Sequence, residues 1–331
     1  MRVVLIYRKP CEGAYSIEEL FHTISNELKK HVEVIEYETG SRWNIIKDVW
    51  RLRKLNADIY HVVGDVHYFI PLLRHKKTVL TVHDIIHYLQ DLHGFKRWVY
   101  KWLWLILPIR AADIVTTISK ETKLSIKKNL GSYLGSLTER IEIVENCHSP
   151  FLKPVHREFN AESPVILHLG TKPNKNVPRL IEALRGINCQ LILIGQLDKT
   201  QTQQLIECKI NYFNRVNLTY EEICQQYVDC DIVSFTSLAE GFGMPVIEAQ
   251  ASGRALVTSN LSPMREIAGN GACLVDPLDL LQIREGILRI INDSKYRDHI
   301  IDHGLRNAVR FSPNSISGRY LEIYRREVSH D

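Results

Sequence analysis

The chain has 331 residues, 45% of them hydrophobic and 24% charged, a balance that excludes a disordered chain. Lys and Arg exceed Asp and Glu by 42 − 38 = 4, too little for a dedicated nucleic-acid binder. At roughly 100–200 residues per domain the length predicts two domains, each large enough for its own core.

Residues 1–156 hold 23 basic and 17 acidic side chains, whereas residues 157–331 hold 19 and 21. The basic first half suits an anionic membrane or acceptor; scattered solvated charge describes it equally well. The seven cysteines are odd in number and include no C-x-x-C. They argue against a disulfide framework or zinc ribbon and predict a reducing, cytoplasmic setting.

Met1-Arg2 leads directly into Val3-Val4-Leu5-Ile6-Tyr7, too short a run for a secretory leader, so a first strand is predicted at 2–7. The loop from Arg8 to Tyr15 carries one glycine, Gly13, where a ligand can approach the backbone. Ser16-Ile17-Glu18-Glu19 forms a capping box before a helix whose apolar face is Ile17, Leu20, Phe21, Ile24 and Leu28. Strands are predicted at 58–63 and 78–82, the second running into His83-Asp84. A single His after a strand is more often structural. A metal site at His83, Asp84 and His87 lacks the further ligands it needs.

Residues 95–110, FKRWVYKWLWLILPIR, set Trp98, Tyr100, Trp102 and Trp104 among Lys96, Arg97, Lys101 and Arg110. Two readings stay open. One is an interfacial segment that contacts an anionic bilayer. The other is a buried helix, apolar all round between 102 and 107 and stopped by Pro108. The apolar run Trp102 to Ile109 is too short to span a bilayer, which needs about 20 residues. Strands at 113–118 and 141–145 follow. Pro150, Pro154 and Pro164 then interrupt any periodicity and mark a domain break.

A second series of strands is predicted at 164–169, 190–195, 230–235, 255–258 and 272–275. The nearly continuous apolar character of Val165-Ile166-Leu167-His168-Leu169 is that of parallel strands covered on both faces. Thr219-Tyr220-Glu221-Glu222 is a second capping box, and Ser312-Pro313 opens a last helix. Two series of alternating strands and helices predict an α/β chain of two doubly wound, Rossmann-like domains.

Several nucleotide and hydrolase signatures are missing: G-x-x-x-x-G-K-[ST], G-x-G-x-x-G after a strand, H-E-x-x-H and G-x-S-x-G. P-loop NTPases, simple dehydrogenases, zincins and α/β-hydrolases are thereby disfavoured. The informative stretch is DIVSFTSLAEGFGMPVIEAQASG, residues 231–253. A strand ends in the loop Glu240-Gly241-Phe242-Gly243, and Met244-Pro245 begins a helix where proline's missing N–H costs nothing. Backbone N–H groups from Gly241 to Met244 at a helix start suit an anion or sugar hydroxyls. Glu240 and Glu248 flank that start, and a carboxylate can accept from two vicinal hydroxyls. Singly, each glutamate could merely complement the helix dipole. Together with the glycines they point to a bound diphosphate, sugar and ribose.

In this stretch the sequence resembles the family-4 retaining glycosyltransferases of the GT-B fold, whose E-x7-E signature matches Glu240 and Glu248. The resemblance is clear over residues 164–330 and looser before that. It implies two Rossmann-like domains facing across a cleft: 1–155 for the acceptor, 156–312 for the nucleotide sugar, and a helix at 313–331 crossing back. It implies Glu240 at the reacting face of the donor sugar and Glu248 on the ribose hydroxyls. Phe242, Gly243, Met244 and Pro245 fall in the donor-binding turn.

A second match is Gly170-Thr171-Lys172-Pro173-Asn174-Lys175-Asn176. Gly170 ends a strand, Asn176 can cap the next helix, and the resemblance places Lys175 on the donor diphosphate. Thr171 stands where many relatives have Arg, with Lys172 as a substitute. The third match is His83-Asp84, implying His83 near the donor sugar and Asp84 beside the acceptor cleft with Gly13. Glu266 falls in a stretch on the base or ribose side. The resemblance further implies no catalytic metal and no cofactor beyond a UDP- or GDP-linked donor. It implies a glycan or lipid-linked acceptor of bacterial surface polysaccharide synthesis, at the inner face of the plasma membrane. Two other readings are a GT-B nucleotide-sugar epimerase and a non-catalytic, membrane-associated scaffold.

Overall fold

The computed structural model describes residues 1–8, 16–40 and 44–329, so Gly13 lies outside the described residues. The chain divides into two compact units, Met1–Cys147 with the chain from Pro313 on, and His148–Ser312. The division falls eight residues before the 155/156 boundary read from sequence. The reason is local: Cys147 is buried in the first unit's core with Val144 and Ile316, whereas the His148 N–H donates to the Phe311 carbonyl at 3.0 Å.

The first unit runs β1 (Arg2–Tyr7), α1 (Ser16–Leu28), β2 (Glu33–Glu38), α2 (Ile45–Lys54), β3 (Ile59–Val62), β4 (Thr78–Val82), α3 (Gly94–Tyr100), α4 (Leu107–Ala111), β5 (Ile114–Thr117), α5 (Lys120–Leu134), α6 (Leu137–Arg140) and β6 (Glu142–Ile143). The second runs β7 (Val165–Leu169), α7 (Val177–Leu184), β8 (Gln190–Ile194), α8 (Lys199–Glu207), β9 (Asn211–Arg215), α9 (Tyr220–Asp229), β10 (Ile232–Phe235), α10 (Met244–Ala251), β11 (Ala255–Ser259), α11 (Met264–Ala268), β12 (Cys273–Val275), α12 (Leu280–Asn292) and α13 (Ser294–Ala308). The last helix, α14 (Pro313–Ser329), packs with α1 in the first unit.

Both sheets are six-stranded, in the orders β2-β1-β3-β4-β5-β6 and β12-β11-β10-β7-β8-β9. Every strand pairing is parallel. This is the predicted α/β class. Parallel strands need crossover connections, and the helices of those crossovers bury both faces. The strands missed from sequence are β2, EVIEYE, and β9, NYFNR. Both lie at sheet edges, where solvent reaches the side chains and the continuous apolar run disappears.

In the first unit, α1 and α14 cover one face through Phe21, Ile24, Leu28, Tyr320 and Tyr324. His61, in the middle of β3, bonds the Tyr324 hydroxyl at 2.6 Å and the Thr81 hydroxyl at 2.7 Å. The other face is covered by α2, a 3-10 turn at His67–Leu73, the segment from α3 to α4, and α5. These pieces are tied edge to edge. Arg53 Nη2 donates to the Leu72 carbonyl at 2.7 Å, His67 Nδ1 to the Trp104 carbonyl at 2.8 Å, and Lys101 Nζ lies 4.3 Å from the Tyr133 ring centroid.

Residues 95–110 fit neither sequence expectation alone. Leu105, Ile106, Pro108 and Ile109 are buried, but Phe95, Trp98, Leu103 and Leu107 are 77%, 54%, 44% and 42% exposed. Nor does Pro108 stop the helix. A π-helical turn at Lys101–Ile106 precedes it, and Pro108 enters the first turn of α4, where no N–H is required of it. Among the described residues no helix is long and apolar enough to cross a membrane.

Candidate functional site at the strand-order reversal of the second unit

In the second sheet the order reverses between β7 and β10, the position where doubly wound sheets bind ligands at the carboxyl ends of their strands. The two loops leaving these strands carry the two strongest sequence motifs.

After β7, Gly170 has φ +87°, a conformation that favours glycine. A Cβ there would lie 2.9 Å from Cγ of Lys175, so the missing side chain is the space through which the lysine folds back. Lys175 ends a 3-10 turn, Pro173–Lys175. Its Nζ is 2.6 Å from Oε1 of Glu240 and 4.9 Å from the Phe235 ring centroid. The two side chains are only 19% and 14% exposed, so the pair is poorly screened by solvent. Asn174 strengthens the junction: its Nδ2 donates to the Ala239 carbonyl at 3.0 Å and to Glu240 Oε1 at 3.3 Å.

Thr171 donates its hydroxyl to the Gln196 carbonyl at 2.6 Å, which pins the loop to the chain after β8. Lys172 is exposed and its ammonium makes no hydrogen bond or ion pair among the described residues. Asn176 precedes α7 but makes no side-chain cap, contrary to the sequence expectation. Its backbone is left-handed, φ 63°, and the amide instead donates to the carbonyls of Thr236 at 3.1 Å and Pro277 at 2.7 Å.

After β10, Gly243 stands before α10 with φ +105°, and Met244 and Pro245 form its first turn. The N–H groups of Phe242, Gly243 and Met244 have no hydrogen-bond partner among the described residues. The Phe242 ring is buried edge-on to Phe311 at 6.0 Å, leaving its backbone as the polar part. The hydroxyls of Ser234, Thr236 and Ser237 are buried here without partners among the described residues.

Glu248, one helical turn further along α10, is buried rather than lying open beside Glu240. Tyr227 donates to its Oε2 at 2.6 Å and Tyr220 to its Oε1 at 3.2 Å. Burial pushes its pKa up, and the two hydroxyls hold it back. The sequence reading missed both tyrosines. They stand seven residues apart on α9, two turns on one helical face, and that spacing was the available signal. The predicted capping box opens the same helix: Thr219 accepts from the Glu222 N–H at 3.3 Å and the Thr219 N–H donates to Glu222 at 2.7 Å. Glu266 pairs with its neighbour Arg265 at 2.8 Å in an exposed position.

In the first unit, His83 follows β4 and donates from Nε2 to the Val63 carbonyl at 2.9 Å. A carbonyl only accepts, so Nε2 carries the proton, and Nδ1, without a hydrogen-bond partner among the described residues, is the acceptor of the neutral ring. Burial lowers its pKa, which favours that neutral form. Asp84 is exposed and accepts from the Ile86 N–H at 2.9 Å. His87 turns to Asp91, 2.9 Å away.

Two parallel six-stranded units, with a cation–carboxylate pair and an unpartnered helix start at the strand-order reversal of the second, have the make-up of the GT-B fold. Residues 153–306, most of the second unit, match the family described as glycosyl transferases group 1. It is 26% identical over 302 residues to O-antigen chain mannosyltransferase B of Escherichia coli, covering 84% of this chain and 77% of that one. It is 29% identical over 231 residues to O-antigen chain mannosyltransferase RfbU of Salmonella typhimurium, covering 66% and 61%. Its fold matches that of HepE of Anabaena, crystallised with UDP and glucose, at a TM-score of 0.76, with 18% identity and coverage of 98% and 99%.

Proposed function

We propose that the chain transfers a hexosyl unit from a nucleotide sugar to a glycan or lipid-linked saccharide, with retention of configuration and without a catalytic metal. The Lys175–Glu240 pair carries this reading. As the bond from the anomeric carbon to the diphosphate breaks, negative charge grows on the departing oxygens. A fixed cation stabilises that state more than the intact donor. The donor diphosphate competes with Glu240 for the Lys175 ammonium. Its arrival frees the carboxylate to accept from a sugar hydroxyl.

The unpartnered N–H groups of Phe242, Gly243 and Met244 support diphosphate or sugar contacts at the α10 start, with Gly170, Thr171, Lys172 and Pro245 shaping the same site. Glu248 serves the ribose: each carboxylate oxygen accepts one tyrosine hydroxyl and keeps a second lone pair for a ribose hydroxyl. The acceptor oxygen bonds to the anomeric carbon on the face the diphosphate leaves, and its proton passes to a diphosphate oxygen. No protein base is then required. His83 acts through its free Nδ1 as acceptor for a substrate hydroxyl, with Asp84 and Gly13 beside the acceptor.

The two O-antigen mannosyltransferase relatives favour mannose as the hexose and lipopolysaccharide as the setting, in the cytoplasm at the inner face of the plasma membrane. The exposed aromatic and cationic groups of residues 95–110 fit a peripheral membrane contact there.

The test is a thermal-shift panel of UDP, GDP and ADP and their sugars, with and without EDTA, on wild type and Lys175→Ala. Saturation at 100 times Kd stabilises by about 2.7 kcal/mol. One nucleotide should stabilise the wild type in EDTA and the variant less. No shift with any nucleotide overturns the reading, and conversion of the donor into an isomeric sugar in the absence of acceptor makes the chain an epimerase.

A further inference from the structure

The second unit has a cavity of about 290 Å³ at the end of its sheet opposite the donor loops. It lies where β10 and β11 begin, with Asp231 one residue before β10 and Arg254 one residue before β11. Residues 157–159 and the first turns of α13 supply its other walls. Three guanidiniums, those of Arg157, Arg254 and Arg297, come from these separate pieces of chain and line it together.

Hydrogen bonds inside the unit use only part of each guanidinium. Arg157 Nε donates to Asp231 Oδ1 at 2.9 Å, and Asp231 Oδ2 accepts from the Val165 N–H at 2.8 Å, so this acid offsets one of the three charges. Arg254 is buried, 5% exposed. Its Nε donates to the Tyr227 carbonyl at 2.8 Å and its Nη2 to the carbonyls of Val155 and Val228 at 3.1 and 3.0 Å. Its Nη1 has no partner among the described residues. Arg297 lies over Phe159, with Cζ 3.8 Å from the ring centroid, and gives Nη1 alone to the carbonyls of Ile290 and Ile291. Carbonyls satisfy donors without neutralising charge. Arg254 and Arg297 therefore stand without a carboxylate in ion-pair contact among the described residues, and one of them is buried.

Planar guanidiniums held in place suit the oxygens of a phosphate group. The cavity is close to the smaller ligand pockets, about 300 Å³, and holds more than a phosphate. Glu158 and Asp298 also line it, at exposed positions, with no hydrogen bond or ion pair among the described residues. Two carboxylates would repel an acidic peptide, but they accept from hydroxyls. Cations for a phosphate beside acceptors for hydroxyls fit a phosphorylated sugar.

We propose that this cavity is a second site, separate from the donor site, that binds a phosphorylated sugar. Arg254, Arg297 and the remaining donors of Arg157 hold the phosphate, and Glu158 and Asp298 take the hydroxyls. The proposal does not rest on the donor-site reading.

The test is titration calorimetry of the full chain with glucose and mannose phosphorylated at the anomeric or the primary hydroxyl, beside inorganic phosphate and the free sugars. One hexose phosphate should bind at least about tenfold more tightly than inorganic phosphate or its free sugar, because only it meets both halves of the site. Arg297→Gln should weaken it about tenfold or more, the scale of a hydrogen bond to a charged group. Glu158→Ala with Asp298→Ala, both at exposed positions, should lower its affinity towards that of inorganic phosphate and leave inorganic phosphate no weaker. Lys175→Ala, at the donor site, should leave all these affinities unchanged. No binding, affinity for the hexose phosphates no higher than for inorganic phosphate, or binding unaffected by Arg297→Gln or by the double variant overturns the proposal. So does binding that Lys175→Ala abolishes, which puts the phosphate in the donor site.

Discussion

The Lys175 ammonium lies 2.6 Å from Glu240 Oε1, joining loops 65 residues apart at the ends of β7 and β10. Nothing in either loop requires the other; the adjacency of β7 and β10 brings them together.

Substituting Lys175 by Met keeps the length of the side chain and removes the charge. Sugar transfer should fall by about 10²–10³ in kcat, the scale of losing one electrostatic group aimed at developing charge. The melting temperature should change little, because Glu240 keeps the Asn174 amide and has some access to water. A steady-state assay beside a thermal melt checks both. A variant with unchanged kcat removes Lys175 from the transition state.

Gly170→Ala should act on activity through Lys175. The new Cβ would meet the lysine side chain at 2.9 Å, and alanine at φ +87° is strained. A loss of about 1–2 kcal/mol in urea unfolding is expected, together with weaker donor binding than Lys172→Ala, an exposed neighbour, produces. Equal donor affinities in titration calorimetry would show that the lysine reaches its place without the glycine.

Glu248→Gln separates stability from function. Burial raises the folded pKa of Glu248, so the folded chain binds the proton more tightly than the unfolded one. Stability from this group is present below the unfolded value and is lost as pH rises through the folded value. The Gln variant should therefore melt higher than wild type at pH 8, with the gap closing towards pH 4. Its affinity for the donor nucleotide should fall roughly 10–100-fold, the worth of a hydrogen bond to a charged group. Tyr227→Phe, in contrast, should lower both, since it leaves a buried oxygen short of a donor.

Acid should unfold the chain partly through its buried histidines. Burial depresses His168 to about 4 and His61 to about 3 from an ordinary 6.5. A depressed histidine binds fewer protons folded than unfolded between those values. Stability is complete above 6.5 and falls as pH drops towards 4, at about 1.4 kcal/mol per pH unit for each histidine. Denaturant melts at pH 7.5, 6 and 5 should show that slope, and His168→Asn should reduce it.

Read alone, the sequence determined the α/β class, ten of the twelve strands of the described residues, and the two motif loops. Those features are written in local pattern: apolar runs such as Val165 to Leu169, the Thr219–Glu222 box, the glycines and Pro245 at the start of α10. Edge strands β2 and β9 escaped because solvent on the outside dilutes their pattern. Only the tertiary structure decided which residues meet. Sheet order set Lys175 on Glu240, and two turns of α9 set Tyr220 and Tyr227 on Glu248. Each of these depends on which neighbour an element packs against, a property that no single stretch of chain encodes.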